Sequence, residues 1–295
     1  MEPVHCVIVA FHDPNPLARL LGTLAHPGVD ALVVNVEADP AVAAVAATAG
    51  VGHLALDGNP GYAAAVNAGA ERFDDGLVVF MNDDLEASAE HVLALASVVG
   101  SGEADVAMPA VVNGAGHTEG VILALPTPAS LAWEWLLLPD APVPWMNGHV
   151  QVEKWRRPDR PERVDAASAF MVATSARLLH QVPLPVEYFL YWEESEWFWW
   201  LQKAGAVVQV RPDVVVRHGG GREDVRPDKS RLMARNAVRC VRRTQGRMAA
   251  ALAVPVVVAW NLRLVVTAAV HRREFLGARL AGLRAAVGAW TEVAR

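Results

Sequence analysis

Short runs of apolar residues alternate with helical patterns through the first hundred residues, and this alternation restricts the possible fold more than any other feature. The successive segments, strand-like and helix-like in turn, lie at 4–10, 16–26, 31–36, 40–49, 51–56, 61–73 and 76–81. Uninterrupted apolar strands alternating with helices indicate a mostly parallel sheet covered by helices on both faces. The sequence therefore predicts an α/β fold in which ligands bind beyond the carboxyl ends of the strands.

The first candidate site residues follow these strands. Phe11 comes after the first strand, Asn35 ends the second, Asn59 follows the third, and Asn82-Asp83-Asp84 ends the fourth. Two adjacent carboxylates at the end of a buried strand repel each other unless a cation joins them. A divalent ion bridging to a diphosphate would join them. A solvated turn that caps the next helix is the alternative interpretation.

A second acidic cluster lies in the segment 188–197, where Glu193, Glu194 and Glu196 stand among five aromatic residues. Apolar rings and like charges raise the pKa of a carboxylic acid, which suits a general base. The alternative is a helix N-terminus at which acidic residues favour the helix dipole, and both interpretations can hold together.

His218 lies at the end of a late strand-like segment and is followed by three glycines. A lone histidine is more often structural than a ligand. A histidine that opens into a glycine-rich loop at a strand end is well placed to reach a bound ion or phosphate. We therefore count His218 as a candidate metal or phosphate contact.

In this order and spacing the motifs resemble family 2 glycosyltransferases of the GT-A fold, especially the rhamnosyl- and galactofuranosyl-transferase-like branch. The resemblance covers about residues 4–243 and depends on five elements: Ala10-Phe11-His12, Asn59-Pro60-Gly61-Tyr62 through Asn67-Ala68-Gly69, Asn82-Asp83-Asp84, the segment 189–196, and His218. Two positions depart from the family pattern. Asn35 stands where the family has Asp, and Glu194 replaces the usual Asp base.

The resemblance implies a function for each matching residue. On the donor side, Phe11 would stack on the base and Asn35 would contact base or ribose, while the other donor-binding positions would be Asn59, Gly61, Asn67, Asn82 and Asp83. Asp84 and His218 would hold a divalent metal, and Glu194 would be the general base. Trp192 and Glu193 would lie on the acceptor side. Trp133, Trp135, Trp145 and Trp155 are further acceptor candidates.

The implied reaction is the inverting, metal-assisted transfer of a hexose from a nucleotide-diphosphate donor to a hydroxyl acceptor. A dTDP- or UDP-sugar is the favoured donor. Mn²⁺ is favoured over Mg²⁺ because His218 offers nitrogen, which Mg²⁺ accepts poorly. Two alternatives remain open. One is a nucleotidyltransferase acting on a sugar phosphate, and the other is a catalytically dead nucleotide-sugar-binding protein.

The last quarter of the chain differs in charge from the rest. Residues 226–295 carry 14 Lys or Arg against three Asp or Glu, whereas residues 1–225 carry 12 against 29. The acidic body argues against nucleic acid as its partner. The apolar run 248–260, interrupted by Pro255, is shorter than the roughly 20 residues that a membrane span needs. Further on, one helical stripe joins Leu276, Leu280, Leu283, Val287 and Trp290.

These patterns predict a catalytic domain at 1–243, with a nucleotide-sugar half at 1–109 and an acceptor half at 110–243. They predict a helical appendage at 244–295 that packs on the body of the protein, forms a homodimer or contacts an anionic membrane surface. Two cysteines, Cys6 and Cys240, provide no disulfide framework, and the first residues show no secretory signal. The expected location is the cytoplasm, with peripheral attachment at the inner face of the membrane.

Overall fold

The computed structural model describes residues 3–119, 122–133, 158–219 and 225–294. The strands are β1 Val4–Ala10, β2 Val29–Asn35, β3 Gly52–Ala55, β4 Leu77–Asn82, β5 Leu85–Glu86, β6 Val106–Val112, β7 Ile122–Leu123, β8 Glu162–Arg163, β9 Ala166–Ala167, β10 Met171–Ser175 and β11 Val208–His218. The helices are α1 Pro14–Leu24, α2 Pro40–Ala49, α3 Tyr62–Ala70, α4 Ala89–Gly100, α5 Pro128–Ala132, α6 Ala176–Gln181, α7 Glu193–Lys203, α8 Pro227–Gln245, α9 Arg247–His271, α10 Leu276–Gly288 and α11 Trp290–Ala294.

The main sheet is mixed and has the order β3-β2-β1-β4-β10-β6-β11-β5, with β8 paired to β11. Strands β3, β2, β1 and β4 are mutually parallel, as the apolar runs predicted. Strand β10 enters antiparallel between β4 and β6. The α/β fold class is therefore confirmed, and the carboxyl ends of β1, β2 and β4 lie at one edge of the sheet.

Apolar side chains of the sheet and its helices form the first hydrophobic core. Helix α1 contributes Leu17, Leu20, Leu21 and Leu24, which are all buried, as their spacing on one helical face predicted. The late strand-like segment that ends at His218 is the strand β11. Its pairing with β6 shifts register between Arg211 and Val215, so this strand contains a local irregularity.

A second hydrophobic core joins the C-terminal helices to one another. Helices α8, α9, α10 and α11 pack together, and Leu131 of α5 packs into the same core. Helix α8 also contacts α7 of the first part of the chain. The predicted boundary at 243/244 falls inside the last turn of α8, so the helical layer begins before it.

Two details of these helices were not predicted from the sequence. Pro255 does not end the helix, since α9 continues through it to His271. The buried side of α9 packs on the protein both before and after the proline, and this packing stabilises the helix there. In α10 the buried residues are Ala278, Ala281, Gly282 and Ala286, rather than the leucine stripe. These small residues allow α10 to lie close to α9, since a Cβ at Gly282 would lie 2.7 Å from the side-chain oxygen of Asn261 on α9.

Candidate active site

A cavity of about 500 Å³ opens at the edge where the parallel strands end. Its walls include Phe11 after β1, Glu37 after β2, and Asn59, Gly61 and Tyr62 at the start of α3. The volume is that of a typical small-molecule site. The cavity therefore lies where an α/β sheet ordinarily binds its ligands.

The opposite part of the chain completes the cavity. The segment 189–191 and the start of α8, with Arg226 and Lys229, line it as well. The ammonium group of Lys229 lies 5.3 Å from the centre of the Tyr191 ring. Two cationic and two acidic residues, Arg226, Lys229, Glu37 and Asp228, thus line the cavity, so it offers donors for an anionic group beside acceptors for hydroxyl groups.

Asp84 and His218 are brought together by strand pairing. Strand β5 follows Asp84 directly and pairs with the end of β11, so that Leu85 lies opposite His218. The backbone N–H of Gly219 donates to the Asp84 carbonyl oxygen at 3.0 Å. His218 Nε2 then lies 3.1 Å from Asp84 Oδ2. The sequence prediction that these two residues share a site agrees with this geometry.

Glu119 holds the other nitrogen of the same imidazole. Its Oε2 lies 3.0 Å from His218 Nδ1. Burial alone would lower the pKa of His218, but the hydrogen bonds and negative charges of Asp84 and Glu119 outweigh burial and raise it. A carboxylate on Nδ1 fixes the ring orientation and leaves Nε2 for Asp84 or a ligand, as in histidines that bind metals.

The donors of Asp84 and His218 fit a divalent cation that arrives with a phosphate ligand. Asp84 Oδ1 is buried and has no hydrogen-bond partner among the described residues. The 3.1 Å separation of Nε2 and Oδ2 matches the roughly 3 Å between neighbouring ligands of an octahedral ion with bonds near 2.1 Å. Within the described ranges no three His, Cys, Asp or Glu side chains form a complete metal cluster. Such an ion would therefore need oxygen ligands from a bound diphosphate.

Four carboxylates act electrostatically on Tyr62, a residue of the cavity wall, although none of the four lines the cavity itself. Burial raises the pKa of Tyr62, and the charges of Glu193, Glu194, Asp84 and Asp83 raise it further. The acidic pair after β4 and the acidic start of α7 are therefore electrostatic neighbours around one cavity. The sequence placed these clusters more than a hundred residues apart.

The individual carboxyl groups differ in exposure. Burial and the neighbouring charge of Asp84 raise the pKa of Asp83 to about 7, although the backbone N–H of Phe11 donates to Asp83 Oδ2. Burial, followed by the charge of Glu194, raises the pKa of Glu193 well above its usual range. Burial also raises the pKa of Glu194, which is half-buried, whereas Glu193 is buried.

A strained turn precedes this acidic pair. Tyr191 and Trp192 adopt positive φ angles of 68° and 77°, which is unfavourable for bulky residues. Asn236 on α8 is buried, and its side-chain amide donates to the carbonyl oxygens of Leu190 and Tyr191 at 3.0 and 3.2 Å. These two hydrogen bonds from α8 hold the turn that directs Glu193 and Glu194.

Some predicted donor residues serve the protein scaffold instead. Asn35 is completely buried, and its amide exchanges hydrogen bonds with the backbone of Asp39 and lies 3.0 Å from His53. Asn67 pairs with the backbone of Leu184 through both of its polar atoms. Neither residue lines the cavity, and the residues after β2 that do so are Val36 and Glu37.

Other candidates lie at the margin of the site. Asn82 ends β4 half-buried, and Asn59 lines the cavity while its Oδ1 accepts from the backbone of Gly61. Trp192 packs against the C-terminal helical core. Glu196 is completely buried, and both of its oxygens accept from Arg243, which ties α7 to α8. Trp135, Trp145 and Trp155 lie outside the described residues.

Sequence reasoning missed Glu37, Glu119 and Asn236. Glu37 stands two residues after Asn35, and its positive φ of 63° turns the chain toward the cavity. Glu119 reaches His218 because its backbone N–H donates to Val111 at the end of β6. Asn236 has no local signal, because its partners lie 45 and 46 residues earlier.

Replacing Gly61 with alanine should destabilise the protein by about 2 to 4 kcal/mol and weaken ligand binding in the cavity. Gly61 has φ +91°, and an added Cβ would overlap the carbonyl oxygen of Phe189. Gly58→Ala is the matched control, because Gly58 has φ +83° but nothing within 4 Å of its Cβ position. It should show the backbone strain alone, about 1 kcal/mol. Equal destabilisation of both variants in urea melts would contradict the packing argument.

The fold and the placement of the cavity define an α/β protein of the GT-A type with a C-terminal helical segment. The family model described as glycosyl transferase family 2 matches residues 6–139, somewhat less than half of the chain. This match supports a glycosyltransferase. No curated protein matches the chain in sequence.

Solved glycosyltransferase structures share this fold at low sequence identity. A mannosyltransferase from Pyrobaculum calidifontis in complex with GDP-Man and Mn²⁺ is 12% identical, with TM-score 0.57, covering 98% of this chain and 88% of that one. GalNAc-T7 with UDP, GalNAc and Mn²⁺ is 12% identical, with TM-score 0.58, covering 81% of this chain. The chain spans only 48% of GalNAc-T7. S. aureus TarS 1-349 is 13% identical, with TM-score 0.52, and coverage of 97% and 80%.

Proposed function

We propose that the protein is an inverting glycosyltransferase that moves a hexose from a nucleotide-diphosphate donor to a hydroxyl acceptor. The observation that carries this proposal is the Asp84–His218 pair, together with the electrostatic effect of Asp84, Glu193 and Glu194 on Tyr62, which lines a cavity with Phe11 and two cationic side chains. The family match over residues 6–139 supports the same class of reaction. A rhamnosyl- or galactofuranosyl-transferase-like reaction with a UDP- or dTDP-sugar is the specific form that we favour.

The donor nucleotide would occupy the cavity between Phe11 and the segment 189–191. Phe11 is 45% exposed, so its ring is available to stack on a base. We assign the polar contact to base or ribose to Glu37, which lines the cavity, in place of the buried Asn35. Arg226 and Lys229 would contact the diphosphate as charged hydrogen-bond donors.

Asp84 and His218 would hold a divalent cation together with the donor diphosphate. When bound, such a cation supplies positive charge to the leaving diphosphate. Glu119 would keep His218 oriented with Nε2 toward this position, because it occupies Nδ1. The two neighbours solved with Mn²⁺ and a nucleotide or nucleotide sugar support this assignment, and the mixed oxygen and nitrogen donors favour Mn²⁺.

Glu194 would accept the proton of the acceptor hydroxyl as its oxygen attacks the anomeric carbon. Glu194 is half-buried, whereas Glu193 is buried, so we assign the base to the more exposed of the two. The raised pKa of Glu194 makes its carboxylate a stronger base than an exposed one. A single displacement from the face opposite the leaving group inverts the anomeric configuration.

A thermal-shift series tests donor binding directly. UDP-, dTDP- and GDP-sugars are added with Mn²⁺, and the cognate donor should stabilise the native state by about 2.7 kcal/mol at a hundredfold excess over Kd. Phe11→Ala should fold normally and lose most of this shift. If no nucleotide diphosphate raises the melting temperature with any metal, the proposal fails.

Activity assays separate the two alternatives. A nucleotidyltransferase would release pyrophosphate from a nucleoside triphosphate and a sugar phosphate, which a glycosyltransferase does not do. A catalytically dead binding protein would show the thermal shift but would not hydrolyse the donor slowly in the absence of acceptor. Slow release of nucleoside diphosphate from the cognate donor therefore distinguishes the proposed enzyme from both alternatives.

A further inference from the structure

The exposed side of α9 is apolar along the whole helix. Met248, Leu252, Leu262, Val266 and Val270 are between 50% and 83% exposed. Pro255, also exposed, lies between them on the same side. Steps of three, four and seven residues keep these positions within a narrow arc of the helix surface, which we call the α9 stripe. Apolar stripes of this length on a protein surface mark an interaction site.

The opposite side of α9 is committed to the protein. Ala250, Ala253, Val254 and Val257 are buried in the C-terminal helical core. Farther along, Asn261 is buried at the close contact with Gly282 of α10. Helix α9 is long and apolar enough to cross a membrane by length and composition. Crossing would require it to leave α8 and α10, which favours contact along the stripe instead.

The charges around the stripe select an anionic partner. Helix α9 contains no Asp or Glu, and its two arginines, Arg247 and Arg263, are exposed. Arg272 and Arg273 follow its C-terminus and are exposed as well. Arg272 also forms a salt bridge with Glu274, whereas α9 itself contributes no acidic residue that would neutralise its arginines if two copies paired through the stripe. Anionic lipid headgroups would provide that neutralisation.

Further apolar surface lies on the two helices that follow. Val287 on α10 is 55% exposed and Trp290 at the start of α11 is 52% exposed. Tryptophan is the residue that most often lies at the level of lipid headgroups, because its ring is apolar and its N–H is polar. The exposed residues of these helices therefore have the composition of an interfacial membrane contact.

We propose that the α9 stripe lies flat in the surface of an anionic lipid bilayer. The apolar side chains insert between the headgroups, and the flanking arginines contact lipid phosphates. The helices stay packed on the protein throughout, so the attachment is reversible. This inference is independent of the proposed enzymatic function, because it concerns a different surface and its test measures no turnover.

Co-sedimentation of the full chain with vesicles tests the proposal. Vesicles of phosphatidylcholine with about 30% phosphatidylglycerol should bind the protein, and pure phosphatidylcholine should bind it several-fold more weakly. Raising NaCl from 0.1 to 0.5 M should release much of the protein. Leu252→Glu and Leu262→Glu should each lower the partition coefficient between vesicles and water about tenfold or more. This is the loss expected when one leucine side chain is no longer buried in the membrane.

Val186→Glu is the matched control, because Val186 is 55% exposed and lies before α7, away from the stripe. It should bind vesicles like the wild type, and circular dichroism should show that all three variants are folded. Equal loss of binding in Val186→Glu would overturn the proposal. Three other results would also overturn it. These are a wild-type protein that does not bind the vesicles, bound protein that resists carbonate extraction, and a wild-type dimer that Leu262→Glu dissociates.

Discussion

Replacing Glu194 with glutamine should lower turnover by about 10²- to 10⁴-fold while donor and metal binding persist. Glutamine keeps the size of the side chain but cannot accept the proton of the acceptor hydroxyl. Because Glu194 is half-buried at the start of α7, the substitution should not disturb the fold. Steady-state kinetics with the cognate donor would give the loss in kcat, and the thermal shift with donor would show that binding is retained.

The pH dependence provides a second measurement on the same residue. A general base acts only when it is deprotonated, and burial raises the pKa of Glu194 above its usual range. The wild-type rate should therefore rise with pH through this raised pKa, and Glu194→Gln should lose that ascending limb. Near wild-type turnover in Glu194→Gln, together with an inactive Glu193→Gln, would assign the base to the neighbouring residue.

Removal of the divalent metal should abolish most of the activity, and Mn²⁺ should restore it better than Mg²⁺ at equal concentration. Asp84 offers an oxygen that suits both ions, whereas His218 offers nitrogen, which Mg²⁺ binds poorly. His218→Ala should lower the rate and also shrink the difference between the two metals. Assays after EDTA treatment and readdition of each metal would measure both effects.

Glu119→Gln is the informative control for this metal prediction. It leaves Asp84 and His218 in place but removes the negative charge 3.0 Å from Nδ1. Metal affinity should fall about 10- to 100-fold, as is usual when the outer partner of a metal-binding histidine is lost. Full activity of the wild type in EDTA would contradict the metal role of both Asp84 and His218.

Much of the nucleotide half could be predicted from sequence. The parallel strands follow from uninterrupted apolar runs, and helix α2 begins and ends where its composition indicated. The Asn59–Gly61 element could be recognised because Gly61 is required by its positive φ and its contact with Phe189. In these cases a local backbone requirement determines the residue type, so the sequence records it.

The remaining site residues depend on long-range contacts. Asn35 stands where the family has a donor-binding Asp, but its side-chain amide forms two hydrogen bonds with the backbone of Asp39 instead. Glu119 and His218 meet only because β6 and β11 are neighbours in the sheet. The continuation of α9 past Pro255 depends on packing rather than on its own helix propensity. Such contacts leave no periodic pattern in the sequence, so its analysis could not predict them.

The two hydrogen bonds from Asn236 connect α8 to the candidate active site. They connect α8 to the left-handed turn at Tyr191 and Trp192, immediately before the proposed base. Any event that shifts α8 would change the free energy of that turn. By thermodynamic reciprocity, donor binding that orders the turn would also stabilise the docking of α8.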